Sequence, residues 1–173
     1  MQLNIADIVI LAVDPSTRLI GWCVSQGNRH IESGVLDLSC GRKKTDVWVR
    51  LGRLQRWMDE TLVRWSPDVV ACEEPAGDHG NRWADRRLGN AQGIVFSETS
   101  RCGLPFVVVH PSQVQATGLS KANRLSMMSA AALAGKEKVG EDEADAIGIG
   151  QAALVVLRER ALNELWERRN ARD

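Results

Sequence analysis

Four acidic residues stand where strands and a helix could bring them to one place. Asp14 closes the apolar run Ile8-Val9-Ile10-Leu11-Ala12-Val13, and Glu73 closes Val69-Val70-Ala71-Cys72. Asp142 and Asp145 lie three residues apart, just ahead of the small, apolar stretch Ala146-Ile147-Gly148-Ile149-Gly150. A carboxylate at the end of a buried strand is costly unless it reaches the sheet rim or binds a cation. A spacing of three at a helix start places both carboxylates on one face. Each acid also has a plainer reading: Asp14 as a turn cap, Glu73 as an exposed strand-end acid, Asp142 and Asp145 as partners of the helix dipole. Together they make the three-segment acidic centre of two-metal hydrolysis, in which ions ~3.5–4 Å apart flank a phosphate, one preparing a water and the other stabilising the leaving oxygen. Oxygen ligands suit Mg²⁺, a hard cation that keeps several waters. Glu74 follows Glu73 and should point to the opposite side, because strand side chains alternate. Glu73 continues the apolar run and is the expected ligand, with Glu74 as the alternative. Glu141 and Glu143 fall on other helix faces and are expected to be solvated.

The elements that would position these acids can be read from periodicity. Ile8 to Val13 reads as a strand buried on both faces, followed by a Pro15-Ser16-Thr17 turn. Leu19 to Ser25 and His30 to Leu38 read as two further strands joined at Gly27-Asn28. Trp48, Leu51, Leu54, Met58, Leu62 and Trp65 recur at three- and four-residue spacing and predict an amphipathic helix over Thr45 to Trp65, ended by Pro67-Asp68. Val69 to Glu73 is a short strand stopped by Pro75. A polar loop from Ala76 to about Trp83 leads to a helix over Ala84 to Arg101, with Gly103 as its stop. Phe106 to His110 is a fifth strand, rich in branched residues. Short helices are expected over Pro111 to Thr117 and Ala122 to Ala134, and a long one from Asp142 to about Arg169. Three meandering strands, then strands alternating with helices, indicate an α/β chain with a five-stranded mixed sheet flanked by helices. That is the element order of the RNase H-like fold, and residues 1–173 are expected to form a single domain of that kind.

Composition narrows the classes. With 44% apolar residues, a core can form. No apolar run is long enough to span a membrane, and Met1 to Asp7 lacks the basic start and cleavage site of a signal peptide. The cysteines at 23, 40, 72 and 102 are scattered without a C-x-x-C pair, which argues against zinc or a disulfide framework and for a reducing, cytoplasmic setting. The formal net charge is zero, but its distribution is uneven. Arg42 to Arg56 holds six basic residues and one acid. Further basic groups are Arg82, Arg86 and Arg87, then Lys121, Arg124, Lys136 and Lys138, around acids at Glu73-Glu74 and from Glu137 to Asp145. These are either ordinary solvated faces or basic surfaces around an acidic pocket, the distribution a metal-using nuclease needs.

At these residues the chain resembles the RuvC family of Holliday-junction resolvases. "AVDPSTRLIGWCV" resembles the family's first motif, a turn between two strands, and "PDVVACEEP" its second, in which the catalytic Glu falls in register on Glu73. "RLGNAQGIV" resembles the glycine-marked helix that follows, "HPSQVQATGLSKANR" the segment after the fifth strand, and "EDEADAIGIG" the closing motif, with Asp142 and Asp145 as its metal ligands. The similarity runs from about Ile8 to Leu154. It implies an RNase H-like fold, a homodimer, and paired symmetric nicks in four-way DNA junctions. It also implies two Mg²⁺ per site, with Mn²⁺ able to substitute, and a bacterial or phage-infected bacterial cytoplasm. By the same resemblance Lys121 and Arg124 belong near the scissile phosphate, where a cation steadies developing charge. The helix from Ala84 to Arg101 and the tryptophan-bearing helix before it are the candidate dimer surface.

The chain departs from the family pattern in places. Ser16 replaces a frequent Gly, and a basic position is Gln115. Pro75, Ala76 and Gly77 follow Glu73-Glu74 where bacterial members tend to carry an aromatic that stacks into the opened junction. Trp83, flanked by Arg82 and Arg86, is the nearest substitute, since an aromatic beside arginines can stack on an unpaired base. Rival readings are a broader nuclease of the same fold acting on branched DNA or RNA–DNA hybrids, and a non-catalytic DNA-binding module. An actin-like ATPase would need two lobes, for which 173 residues are too few.

Overall fold

The computed structural model describes residues 4–39, 47–74, 82–121 and 123–170, side chains excepted at 82–87 and 164–170. Strands β1 (Val9–Asp14), β2 (Leu19–Gln26), β3 (Arg29–Asp37), β4 (Val69–Glu73) and β5 (Phe106–Val109) form one sheet in the order β3-β2-β1-β4-β5. The meander β1-β2-β3 is antiparallel, and β4 and β5 extend the sheet in parallel on the other side of β1. The mixed five-stranded sheet expected from the sequence is therefore present. Gly27, at a φ of +52°, makes the β2–β3 turn that the Gly-Asn pair announces.

Among the described residues, five α-helices cover the sheet: α1 (Val47–Trp65), α2 (Arg82–Arg101), α3 (Pro111–Ala116), α4 (Arg124–Leu133) and α5 (Glu141–Asn170). Alternation along β1 divides the core. Leu11 and Val13 join Leu51, Leu54, Met58, Ala91 and Val95 beneath α1 and α2. Ile10 and Ala12 join Val114, Ala130, Ala146, Ile149 and Ala153 beneath α3, α4 and α5. Both faces of β1 and β4 are covered, which is why those strands read as unbroken apolar runs.

Two expectations need correcting here. Trp48 was expected on the buried stripe of the first helix but is 70% exposed. It is the second residue of α1, and Val47 packs against the core instead. The second correction concerns the loop before α2. The helix begins at Arg82, so Arg82 and Trp83 belong to its first turn and not to a loop. The side chains of Arg82, Trp83 and Arg86, like residues 45, 46 and 75–81, lie outside those described.

Candidate active site

The register of the sheet settles which strand-end acids are neighbours. In the parallel pair β1–β4, Val13 faces Cys72, so the next step along each strand is Asp14 beside Glu73. Asp14 has the parity of Ile10 and Ala12, and Glu73 that of Val69 and Ala71, all four on the α5 side of the sheet. Glu74 takes the opposite parity and is exposed, though it too lines the cleft described below. Glu73 is thus the residue beside Asp14. The position is also where the chain departs from β1 toward β2 on one side and lies beside β4 on the other. Open α/β sheets form crevices at the carboxyl ends of such strands.

Helix α5 delivers the other two acids because its backbone can approach the sheet. Gly21 on β2 pairs with Asp14, and a Cβ built on it would fall 1.8 Å from the carbonyl oxygen of Asp142. Only glycine admits that contact. Farther along, a Cβ at Gly150 would meet that of Ala12 at 3.4 Å, and one at Gly148 would fall 2.8 Å from the Leu119 carbonyl. The small residues after Asp145 therefore do what the sequence suggested and seat the helix closely. The first turn of α5 lies across the strand next to Asp14.

Asp145 is 6% exposed, and Lys121 satisfies both its oxygens. The backbone N–H of Lys121 donates to Oδ1 at 2.8 Å, and its amine meets Oδ2 at 2.8 Å. Asp14, half-buried, has its carboxyl pushed up to about 7, first by burial and then by the charge of Asp145. Glu73 and Asp142 also add repulsion, while Lys121 opposes it. Burial raises Glu73 and Asp142 as well, again with Asp145 among the repelling charges and Lys121 among the relieving ones. The hydrogen bond to Asp145 raises the Lys121 amine further. Asp145 thus repels the other three acids and Lys121 relieves all three, with His110 adding to the relief at Glu73.

A cleft of about 510 Å³ opens here, lined by Asp14, Ser16, Glu73, Lys121 and Asp142 among others. Its walls are held by contacts the sequence did not announce. Gln92 on α2 donates to the Glu73 carbonyl at 3.2 Å, and Arg50 on α1 donates to the Thr17 carbonyl at 2.9 Å. Among the described residues, no three His, Cys, Asp or Glu side chains are gathered tightly enough to enclose a metal ion, and Lys121 occupies Asp145 in their place. The donor set is nonetheless that of a hard divalent ion: carboxylate oxygens only, mutually repelling, at one edge of a sheet. Arg124 is exposed at the first position of α4, three residues beyond Lys121, and Gln115 is exposed on α3.

Glu143 was expected to be solvated and is not. It is 7% exposed, accepting a hydrogen bond from Ser33 and pairing with Lys136. Helical spacing correctly turns it away from Asp142 and Asp145, but the face it turns to is covered by β3.

A sequence model of the family described as Crossover junction endodeoxyribonuclease RuvC matches residues 10–152, most of the chain. The chain belongs to that family. The RuvC protein of Oleidesulfovibrio alaskensis is 30% identical over 166 residues, covering 91% of this chain and 95% of that one. That of Nitratidesulfovibrio vulgaris is 28% identical over 168 residues, covering 92% and 96%. Among solved structures, T. thermophilus RuvC in complex with a Holliday junction substrate superposes with a TM-score of 0.74 at 22% identity, over 88% of this chain and 96% of that one. The yeast mitochondrial Holliday junction resolvase gives 0.59 at 13% identity, over 86% and 78%. These likenesses establish the RuvC, RNase H-like fold. No described helix is long and apolar enough to cross a membrane.

Proposed function

We propose that this protein resolves four-way DNA junctions as a homodimer, nicking two strands symmetrically by metal-dependent phosphodiester hydrolysis, with residues 1–173 acting as one nuclease domain. The observation that carries the reading is the meeting of Asp14, Glu73, Asp142 and Asp145 at one sheet edge, on parallel strand ends and a glycine-seated helix turn. The named function of its relatives supports it. In this reading the four carboxylates hold two Mg²⁺, or Mn²⁺ in substitution, which when bound supply an activated water and neutralise charge at the leaving oxygen.

The chain's own residues have separable roles. Asp14 and Glu73 hold the strand side of the site, and Asp142 and Asp145 the helix side. Lys121 stabilises Asp145 before loading and then turns its amine to the phosphate, a short movement because its side chain is half in solvent. Arg124 adds a positive charge beside it on the same DNA path. Arg82, Trp83 and Arg86, at the start of α2, bind the junction arms, with Trp83 stacking on an opened base. A two-fold dimer, formed through α1 and α2, supplies two sites related as the junction's arms are.

The test is a labelled immobile four-way junction with Mg²⁺. Symmetric paired nicks are expected, lost to Asp14→Asn by on the order of a thousandfold, equivalent to ~4 kcal/mol of barrier. Equal cutting of flaps, RNA–DNA hybrids and plain duplex would favour the second reading, a broader branched-DNA nuclease. Pro75-Ala76-Gly77 after the second motif, in place of an aromatic, is the feature that favours it. Junction binding without nicking would indicate a non-catalytic module.

A further inference from the structure

Glu143 stands between the two acids of α5 yet faces the other way, into a buried polar cluster that the reaction does not use. Ser33 Oγ on β3 donates to its Oε1 at 2.6 Å, and the Lys136 amine, from the segment joining α4 to α5, pairs with the same oxygen. That amine also donates to the Ser33 carbonyl at 2.8 Å, and His30 Nε2 lies 2.9 Å from Ser33 Oγ. Three separate elements, β3, the α4–α5 connection and the first turn of α5, are therefore tied at one carboxylate.

The same turn meets the sheet one strand away at Gly21, where the Asp142 carbonyl touches β2. The glycine seat fixes how close the helix lies to the sheet. Small side chains such as Ala144 and Ala146 give little leverage against rotation about the helix axis, and a side chain bonded at a distance from the axis adds it. The sensitivity is high. Side-chain ends lie ~5–6 Å from a helix axis, so a turn of ~10° moves a carboxylate by about 1 Å. Metal–ligand distances tolerate only ~0.2 Å. An ion pair whose lysine is partly in solvent also adds little stability by itself. Its place in the turn that carries two of the four acids gives it a different use.

We propose that Glu143 is a positioning residue: held by Ser33 and Lys136, it fixes the rotation of the first turn of α5 and hence the direction in which Asp142 and Asp145 face Asp14 and Glu73. This rests on the reading of those four acids as metal-holding.

The test uses the full chain without DNA. Calorimetry with Mn²⁺ is run beside thermal unfolding for wild type, Glu143→Ala, the double variant Glu143→Gln/Lys136→Met, and Asp14→Asn. Loss of a partner behind metal ligands typically weakens affinity ~10–100-fold, and a fall of about tenfold is expected for Glu143→Ala. The Mg²⁺ needed for half-maximal junction nicking should rise in step, with the rate at saturating Mg²⁺ largely recovered. The double variant removes the buried carboxylate charge together with its partly exposed lysine partner, and should unfold near the wild-type temperature while keeping the weakened Mn²⁺ affinity. It therefore gives the reading even if Glu143→Ala does not fold. A double variant that binds Mn²⁺ within twofold of wild type would overturn the proposal and leave the cluster a matter of stability only. If Asp14→Asn also left Mn²⁺ affinity unchanged, the metal-site reading itself would fail, and the positioning role with it.

Discussion

Beneath α1 and α2 the sheet meets mostly large side chains, Leu51, Leu54, Met58 and Leu62, whereas beneath α5 small ones, Ala144, Ala146, Gly150 and Ala153, are interleaved with Ile147, Ile149 and Leu154. Large side chains hold a helix away from a sheet and stabilise in proportion to the apolar area they bury, ~25 cal/mol per Å². Small ones bring backbone onto backbone, as at Gly21 and Asp142. The first face is an energetic one, where lost volume should cost stability. The second is a geometric one, where added volume should cost position. All four proposed metal-holding acids lie on the geometric face, and the cluster at Glu143 is there too.

The sharpest way to separate the faces is to add one methyl group to the geometric one. Gly21→Ala must displace the Asp142 carbonyl, because its Cβ would fall 1.8 Å away. A shift of about 1 Å at a catalytic group costs on the order of a hundredfold in rate. Junction nicking per folded molecule should fall by about that factor, with impaired Mn²⁺ binding. Unchanged nicking would show that the helix seat does not set the site. Removing volume from the other face should do the reverse. Leu54→Ala empties a fully buried position under α1 and should cost ~2–5 kcal/mol in denaturant unfolding. The folded fraction should keep its rate and metal dependence, and altered metal dependence would break the division.

The pH dependence of the two faces should also differ. Asp14, raised to about 7, keeps its proton in the metal-free folded chain over a range where the unfolded chain, near 3.8, has released it. Folding is therefore favoured least above pH 7, and this part of the stability declines as pH rises from about 4 to 7. Metal must displace that proton, so the Mg²⁺ needed for half-maximal nicking should climb as pH falls below about 7. Asp14→Asn should remove the larger part of the decline in metal-free stability, leaving a smaller slope from Glu73 and Asp142, which are raised in the same direction; an undiminished slope would assign it to other groups. The smallest effect belongs to the exposed pair Arg64–Glu32, at 2.9 Å on the α1 side. Arg64→Ala should change stability by less than about 1 kcal/mol and leave nicking untouched.

The two faces were not equally legible in the sequence. Periodicity placed β1, β4 and the buried stripe of α1 because alternation and 3.6-residue repeats are local properties. It failed at Trp48, where the stripe outran the sheet, and α2 started in what read as a loop. Asp14, Glu73 and Asp142 stand out because each lies at the end or start of an element, and Asp145 because it follows Asp142 by one helical turn. Glu143 does not. Helical spacing says which way a residue turns, not what waits there, and Ser33 is 110 residues earlier in the chain. The pairing of Lys121 with Asp145 is long-range in the same sense. Gly21 does carry a local signal: a lone glycine inside a strand marks a close approach of backbone.

The central claim, that acids from three distant stretches of chain share divalent cations, is tested most directly by anomalous diffraction from crystals of this protein soaked in Mn²⁺. The account predicts bound Mn²⁺ held by a carboxylate oxygen of Asp14 and by at least one of Glu73, Asp142 and Asp145, with the Lys121 amine moved off Asp145. Mn²⁺ bound elsewhere only, with Lys121 still paired to Asp145, would contradict it.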